Sequence, residues 1–219
     1  MNPDWWPLAG LRLLTPELEL RLASPSDLDA LASLAAAGVH DPAVQPFAFA
    51  WTDAPPSGRA LSTLQYQWTQ WGAWKPERWS LDLAVLHEGT VVGTQGMSAR
   101  DFAVLREVST GSWLGQAHQG KGIGTQMRAA VLHLAFEGLG AEYATSGAFA
   151  DNHASLAVSR KLGYTEDGIE RYVSRGKAVR SVRLRLDRQT WQRTRTVPVT
   201  IRGLELCLPM FGVNPGHRG

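Results

Sequence analysis

Three glycines occupy five consecutive positions in the run Gln119-Gly120-Lys121-Gly122-Ile123-Gly124, directly before an apolar helical pattern. Glycine lets the backbone turn tightly, and a helix that starts at such a turn directs several N–H groups and the positive end of its dipole outward. Phosphate and pyrophosphate groups bind at helix starts of this kind. The run therefore predicts a phosphate-bearing ligand.

Two common phosphate-binding patterns do not fit this loop. The dinucleotide pattern G-x-G-x-x-G fails because its last position falls on Thr125 or Met127, depending on the register. The nucleoside-triphosphate pattern G-x-x-x-x-G-K-[ST] matches as far as Lys121, but Gly122 stands where a hydroxyl must hold magnesium. Coenzyme A requires a loop for its pyrophosphate and a preceding strand for its pantetheine arm, and residues 108–114 are placed to form that strand.

The order of elements indicates an α+β protein. Hydrophobic spacing predicts a strand, two helices, three strands, a helix, a strand, a helix and two strands, which is not strict alternation. Prolines interrupt residues 41–58, so this segment is predicted to be a long loop. Phe47, Phe49 and Trp51 lie on it, and aromatic residues on an irregular loop are candidates for a substrate pocket.

Size and composition place the chain among ordinary globular proteins. It has 219 residues, of which 44% are hydrophobic and 19% are charged. Its single cysteine, Cys207, excludes an internal disulfide, and no apolar run approaches the roughly 18 residues that span a membrane. We therefore expect a cytoplasmic protein without a membrane partner. Residues 1–189 are predicted to form one domain, and residues 190–219 an extension that packs on the core or on a second subunit.

The last third of the chain is basic. Residues 160–195 contain eleven lysines and arginines against four acidic residues. Such a surface can face nucleic acid, but aromatic and basic residues are not interleaved as stacking platforms require. The alternation of Arg183 and Arg185 with apolar residues instead favours a solvated strand face, so nucleic acid is not the expected partner.

Four segments together resemble one family. They are residues 14–21, the run Gly111-Ser112-Trp113-Leu114, the run Asp151-Asn152-His153-Ala154-Ser155 and the run Lys161-Leu162-Gly163-Tyr164. With the glycine loop they span residues 11–187 in order, and the chain thereby resembles the GNAT superfamily of acyl-CoA-dependent N-acyltransferases. The similarity is greatest to the Rim-type ribosomal-protein N-acetyltransferases and their actinobacterial relatives. The resemblance implies a mixed, mostly antiparallel twisted sheet flanked by helices.

The resemblance also implies which residues contact acyl-CoA. Main-chain N–H groups from about Gln119 through Thr125 would hold the pyrophosphate, and an N–H near Leu114 would stabilise the oxyanion. Asn152 would contact pantetheine, and Ser155 would donate a proton to the leaving sulfur; the alternative is that both residues merely form a helix start. The implied cofactor contacts are Trp113, Leu114, Gln119, Gly120, Lys121, Gly122, Ile123, Gly124, Thr125, Asn152 and Ser155. No metal is implied.

The general base is not evident from the sequence. The Rim-type pattern often carries glutamate in the strand before the loop, and Ser109 stands at that position. Asp101 and Glu107 flank the hairpin that should face the acceptor, and His118 lies on the loop. An α-amino group, with a pKa of about 7.7–8.0, needs less help from a base than lysine at about 10.4.

The expected reaction is direct attack of a primary amine on acyl-CoA. Acetyl-CoA is the expected donor and succinyl-CoA the alternative, with His118, Arg100 or Arg106 available for a succinyl carboxylate. The acceptor is a small amine, a protein N-terminus or a lysine. A non-catalytic domain that binds or senses acyl-CoA is the alternative function. A homodimer that uses the C-terminal segment is the expected assembly.

Overall fold

One sheet of nine strands organises the computed structural model, which describes residues 1–213. The strands are β1 (Arg12–Leu14), β2 (Leu18–Leu22), β3 (Arg78–His87), β4 (Thr90–Arg100), β5 (Glu107–Leu114), β6 (Tyr143–Phe149), β7 (Thr165–Ser174), β8 (Lys177–Asp187) and β9 (Thr200–Arg202). Their order is β7-β8-β6-β5-β4-β3-β2-β1-β9, and within this part of the chain only β5 and β6 pair in parallel. The mixed, mostly antiparallel α+β fold predicted from the sequence is confirmed.

Helices cover both faces of the sheet. They are α1 (Pro25–Ala37), α2 (Pro56–Gly72), α3 (Phe102–Leu105), α4 (Ile123–His133), α5 (His153–Lys161) and α6 (Arg188–Thr194). Alternation along β3 assigns the faces, since successive side chains of a strand point to opposite sides. Leu81 and Leu83 belong to the cluster that includes α4, whereas Ala84 and Leu86 pack with α1. Asp82 lies on the same face of β3 as Ala84. Helix α2 covers part of this face.

A capping box starts α1. The Ser24 hydroxyl accepts from the Asp27 N–H, and the Asp27 carboxylate accepts from the Ser24 N–H at 2.9 Å. Arg21 donates to the same buried carboxylate at 3.1 and 3.0 Å. Burial alone would raise the pKa of Asp27, but the hydrogen bonds from Arg21 and Ser24 outweigh it and lower this pKa. The pair therefore ties β2 to the start of α1.

Asp27→Asn should lower the free energy of unfolding by about 1–3 kcal/mol at pH 7, because Arg21 loses its buried partner. A carboxyl with a lowered folded-state pKa stabilises above the unfolded pKa, and this contribution is lost as pH falls. The difference between wild type and variant should therefore shrink between neutral pH and pH of about 3. Urea unfolding at several pH values measures it, and a pH-independent difference would contradict the assigned role of the charge.

The predicted C-terminal extension packs on the core of its own chain over residues 190–213. β9 pairs with β1, and a 3-10 helix, Glu205–Phe211, follows it. Cys207 and Phe211 are fully buried, and Trp74 Nε1 donates to the Met210 carbonyl at 2.9 Å. Residues 214–219 of the predicted extension lie outside the described residues. In residues 1–213 no helix is both long enough and apolar enough to cross a membrane.

Candidate functional site

Strands β5 and β6 separate halfway along their length. They pair only as far as Thr110 and Ser146; beyond these residues β5 continues along β4, while β6 continues along β8. The Gly115 N–H donates to a carbonyl of β4 at 3.0 Å. Because antiparallel pairs alternate, the N–H groups of Ser112 and Leu114 point away from β4. Two main-chain donors therefore face an open gap between the strands.

The loop between β5 and α4 presents five successive main-chain N–H groups. Those of residues 120–124 have no acceptor within the described part of the chain. Gly120 and Gly122 have φ values of 74° and 83°, in the region that favours glycine. The N–H groups of Gln119 and Thr125 already donate to carbonyls of the loop, at 3.3 and 3.0 Å. The free donors are therefore fewer than the span of Gln119 through Thr125 suggested by the resemblance.

The side chains around this loop have separate positions. Gln119 Nε2 donates to the Val39 carbonyl at 2.7 Å and to the Leu114 carbonyl at 3.0 Å, so this side chain fixes the loop to the end of β5. Lys121 is exposed and forms no ion pair in residues 1–213, whereas Ile123 is buried and anchors the first turn of α4. The donors that remain for a ligand are main-chain groups at the positive end of a helix.

Asn152 and Ser155 lie at the start of α5, which follows the splayed end of β6. The Asn152 Oδ1 accepts from the Ser155 N–H at 3.1 Å, so Asn152 caps the helix. Both side chains are only partly buried. Tyr164 is in the core: its hydroxyl is 3.2 Å from the Thr110 hydroxyl, and burial raises its pKa. Among these residues Asn152 and Ser155 retain some exposed surface, whereas Tyr164 is buried.

A cavity of about 700 Å³ opens on the α2 face of the sheet, beside the gap. The carboxyl of Asp82 lines it with 6% of the residue exposed, and Asp82 forms no ion pair with any residue the structure describes. The Ser80 hydroxyl donates to it at 2.9 Å, and Tyr66 is a second hydrogen-bond partner. Burial raises the pKa of Asp82, and these two hydrogen bonds offset only part of the rise. A buried, unpaired carboxylate in a cavity is a candidate catalytic base.

The sequence contains a signal for Asp82 that lies outside the family segments. A single acidic residue interrupts the apolar run of residues 81–86, where an ordinary buried strand has none. The signal is weak without the fold, because the same residue on the other register of the strand would point elsewhere.

Two glycines leave a path from Asp82 to the gap. Asp82 is paired with Gly96, which is paired with Gly111, so the three residues form one row across β3, β4 and β5. A Cβ atom on Gly96 would lie 2.6 Å from Asp82 Oδ1, whereas a Cβ atom on Gly111 would meet no atom within 4 Å. Because neighbouring strands lie about 4.8 Å apart, the backbone of Asp82 is roughly 10 Å from the β5 backbone at the gap.

Gln67 adds a second acceptor to this cavity. Its side chain is 1% exposed, and its Oε1 has no hydrogen-bond partner in residues 1–213. Buried acceptors of this kind normally have a partner, because leaving one unsatisfied costs about 1–3 kcal/mol. A carboxylate and an amide oxygen in one cavity suit a ligand that brings N–H donors and positive charge.

Aromatic side chains form one wall of the cavity. The Phe47 and Trp51 rings are 5.4 Å apart, and the Trp51 and Trp113 rings are 5.8 Å apart. Phe49 also borders the cavity but is 84% exposed. Trp113, which the resemblance implied as a cofactor contact, directs its side chain to this wall instead of to the glycine loop. Arg175, at the turn between β7 and β8, donates to the Asp53 carboxylate at 3.0 Å and thereby holds the loop of residues 41–58.

The acidic residues predicted as bases lie away from this cavity. Glu107 begins β5, at the opposite end from Leu114, and its carboxylate is 2.8 Å from the Arg185 guanidinium. Asp101 is exposed and precedes α3 with a φ of 47°. Neither residue lines the cavity, and His118 does not line it either. We therefore do not retain them as candidate bases. In the described part of the chain, no group of three or more histidine, cysteine, aspartate or glutamate residues could hold a metal ion.

Comparisons with known proteins agree with this fold. The family model described as "Acetyltransferase (GNAT) domain" matches residues 17–165. RimJ of Mycobacterium smegmatis, solved with a CoA disulfide, superposes with a TM-score of 0.69 at 17% identity, over 93% of this chain and 95% of that chain. RimL, described as a ribosomal L7/L12 alpha-N-protein acetyltransferase in complex with coenzyme A, gives 0.62 at 20% identity, over 79% and 95%. A GCN5-related N-acetyltransferase from Brucella melitensis gives 0.65 at 20%, over 83% and 80%.

Proposed function

The chain belongs to the GNAT acetyltransferase family and is an acyl-CoA-dependent N-acyltransferase, and on this premise we propose that it transfers an acetyl group from acetyl-CoA to a primary amine that binds beside Asp82. The observation that carries the proposal is the juxtaposition of a main-chain phosphate site, a splayed strand pair and a buried carboxylate. The acceptor is a small amine, a lysine or a protein N-terminus, as for the RimL structure, whose description names an alpha-N-protein acetyltransferase.

Coenzyme A would bind along the splayed edge. The free N–H groups of residues 120–124 would hold its pyrophosphate at the positive end of α4. The pantetheine arm would lie between β5 and β6 as an added strand, since the N–H groups of β5 are unpaired there. Asn152 and Ser155, at the start of α5, would border this arm.

The reaction needs no covalent enzyme intermediate. The amine nitrogen forms a bond to the thioester carbon, and the Ser112 and Leu114 N–H groups stabilise the oxyanion of the tetrahedral intermediate. The C–S bond then breaks, and the thiolate accepts a proton, for which Ser155 is the nearby hydroxyl. Because a thiol has a pKa near 8.5, this last proton transfer needs little assistance.

Asp82 would accept the proton of the incoming ammonium. Its raised pKa brings it closer to that of an amine, which favours the transfer, and Gln67 Oε1 accepts from the same nitrogen. Asp82 is thus the proposed general base, which was not evident from the sequence alone.

Acetyl is favoured over succinyl by the charge of the cavity. No lysine, arginine or histidine of the described residues lines it, and a succinyl carboxylate would lie near the Asp82 carboxylate. Arg106 is not available because its guanidinium lies over the Phe102 ring and donates to the Leu139 carbonyl. An acetyl group carries no charge that needs a partner.

The decisive experiment is a thiol-release assay with acetyl-CoA and a panel of primary amines that includes peptides with free N-termini. We expect amine-dependent release of CoA and an acetylated product by mass spectrometry. Binding of acetyl-CoA without release on any acceptor would instead favour the alternative, a domain that binds or senses acyl-CoA. Absence of acetyl-CoA binding by folded protein would reject both functions.

Gly122→Val should weaken coenzyme A binding about tenfold or more. A φ of 83° is strained for a β-branched residue, so the loop would rearrange and the N–H groups would no longer converge. Gly176→Val is the matched control, because Gly176 has a φ of 73° with open space around it but lies in the β7–β8 turn. Calorimetric titration should show a weaker affinity only for Gly122→Val; equal losses in both variants would contradict the site.

A further inference from the structure

A second cavity of about 760 Å³ adjoins the first along the same face of the sheet. Ser80, Ser98 and Ser109 line both cavities, and they are paired in one row across β3, β4 and β5. Their hydroxyls can donate and accept, as the main-chain groups of a peptide require. The two cavities thus form one groove with a hydroxyl-lined middle.

Three cations stand at the far end of this groove. Arg78 is paired directly with Arg100 across β3 and β4, and Lys75 is bridged to Arg78. All three line the second cavity and are exposed. None has an ion-pair partner in residues 1–213, and the one carboxylate that lines this cavity, that of Glu107, is bonded to Arg185.

An anion in the second cavity would relieve the repulsion within this row of cations. Like charges directly opposite each other on neighbouring strands destabilise a sheet. The phosphates of coenzyme A do not account for it, because the glycine loop follows Leu114, whereas these cations lie beside the Glu107 end of β5. The seven steps from Glu107 to Leu114, at about 3.3 Å each, put roughly 23 Å between the two ends of that strand. The anion therefore belongs to the acceptor.

The strands also set the distance between the amine and the anion. Asp82, Ser80 and Arg78 alternate on one face of β3, so Asp82 is four residues from Arg78. At about 3.3 Å per residue this separation is roughly 13 Å. An extended peptide covers it with about four residues.

We propose that the acceptor is an extended polypeptide N-terminus whose α-amine lies at Asp82 and whose acidic side chain, at about the fourth residue, binds the row of Lys75, Arg78 and Arg100. The assignment rests on the proposed function, because it places the amine at the transfer site. It names the substrate class as acidic protein N-termini, and it makes the cationic row a specificity site.

Two amidated hexapeptides with free N-termini test this proposal. Both are alanine peptides, and they differ only in glutamate or glutamine at the fourth position. The wild type should show a KM about five- to tenfold lower for the glutamate peptide with the same kcat, since exposed charge pairs are worth at most about 1 kcal/mol each. The difference should shrink in 0.5 M salt, which screens exposed charges.

The double variant Arg78→Gln/Arg100→Gln should lose this discrimination and keep the kcat of the wild type. Arg171→Gln/Arg180→Gln is the matched control, because these arginines are also exposed and directly paired, across β7 and β8, and their loss changes the net charge equally. The control should retain the wild-type preference.

Fluorescence polarisation of labelled peptides on CoA-loaded protein tests the specificity site separately from the proposed function. Equal affinities of the wild type for both peptides would overturn the specificity site, even if both peptides were acetylated. Tighter binding of the glutamate peptide that disappears in Arg78→Gln/Arg100→Gln, without any CoA release, would support the specificity site and refute the proposed function. Equal loss in the control variant would reduce the effect to net charge and overturn the assignment.

Discussion

Asp82→Asn is expected to lower kcat/KM by about 10²–10⁴-fold, which is the usual contribution of a general base. Asparagine keeps the shape and still accepts the hydrogen bond from Ser80, but it cannot take a proton from the ammonium. The affinity for coenzyme A should not change, because the glycine loop follows the end of β5 and does not line the cavity that contains Asp82. Steady-state kinetics and calorimetric titration of both proteins measure the two quantities.

The pH dependence of kcat/KM identifies the base more specifically than the value of kcat/KM at one pH. Only the ionised carboxylate can act, so kcat/KM of the wild type should fall as pH drops through the Asp82 pKa. Burial raises this pKa above the ordinary 3.8, and the decline should therefore begin at a higher pH than for an ordinary aspartate. Asp82→Asn should lose this acidic limb. A variant that retained the wild-type profile would assign the limb to another group.

The thermal stability of Asp82→Asn shows whether the variant still folds. A carboxyl whose folded-state pKa is raised binds its proton more tightly in the folded protein, so its contribution to stability is lost as pH rises through that pKa. Where Asp82 is ionised, the wild type carries a buried charge without an ionic partner, which asparagine removes. The Tm of Asp82→Asn should equal or exceed that of the wild type, and a large decrease in Tm would mean that misfolding explains the lost activity.

Gly111→Val is expected to lower kcat/KM by about 10²-fold or more with little effect on folding. Gly111 lies between Asp82 and the splayed edge, and a Cβ atom there meets no atom within 4 Å. The added side chain would occupy the path of the amine, and even a displacement of about 1 Å from the reactive geometry has effects of this size. Valine suits an extended strand, so the sheet should accept it.

A graded series distinguishes blocked access from a disturbed sheet. Gly111→Ala should lower activity less than Gly111→Val, because it fills less of the cavity. Coenzyme A affinity and Tm should be unchanged in both variants. Full activity of Gly111→Val on every acceptor that the wild type uses would show that the amine does not approach along this row.

The sequence by itself predicted the glycine loop and the helix that follows it. Gly120, Gly122 and the helix that follows are contiguous, and local backbone preferences are enough to predict a turn that directs N–H groups at a ligand. Hydrophobic periodicity was likewise enough for the main helices and strands, because burial of one face imposes the period. The four family segments predicted a mixed, mostly antiparallel sheet, which the structure confirms.

Only the tertiary structure identified the candidate acceptor site. Asp82, Gly96 and Gly111 become neighbours through the register of three strands, and register depends on the whole packed sheet instead of on any local segment. The raised pKa of Asp82 has the same origin, since it follows from burial by α2 and from the lack of an ionic partner. Trp113 shows the reverse case, because it lies beside the glycine loop in sequence but turns its side chain to the cavity that contains Asp82. A strand alternates its faces, so adjacency in sequence there means separation in space.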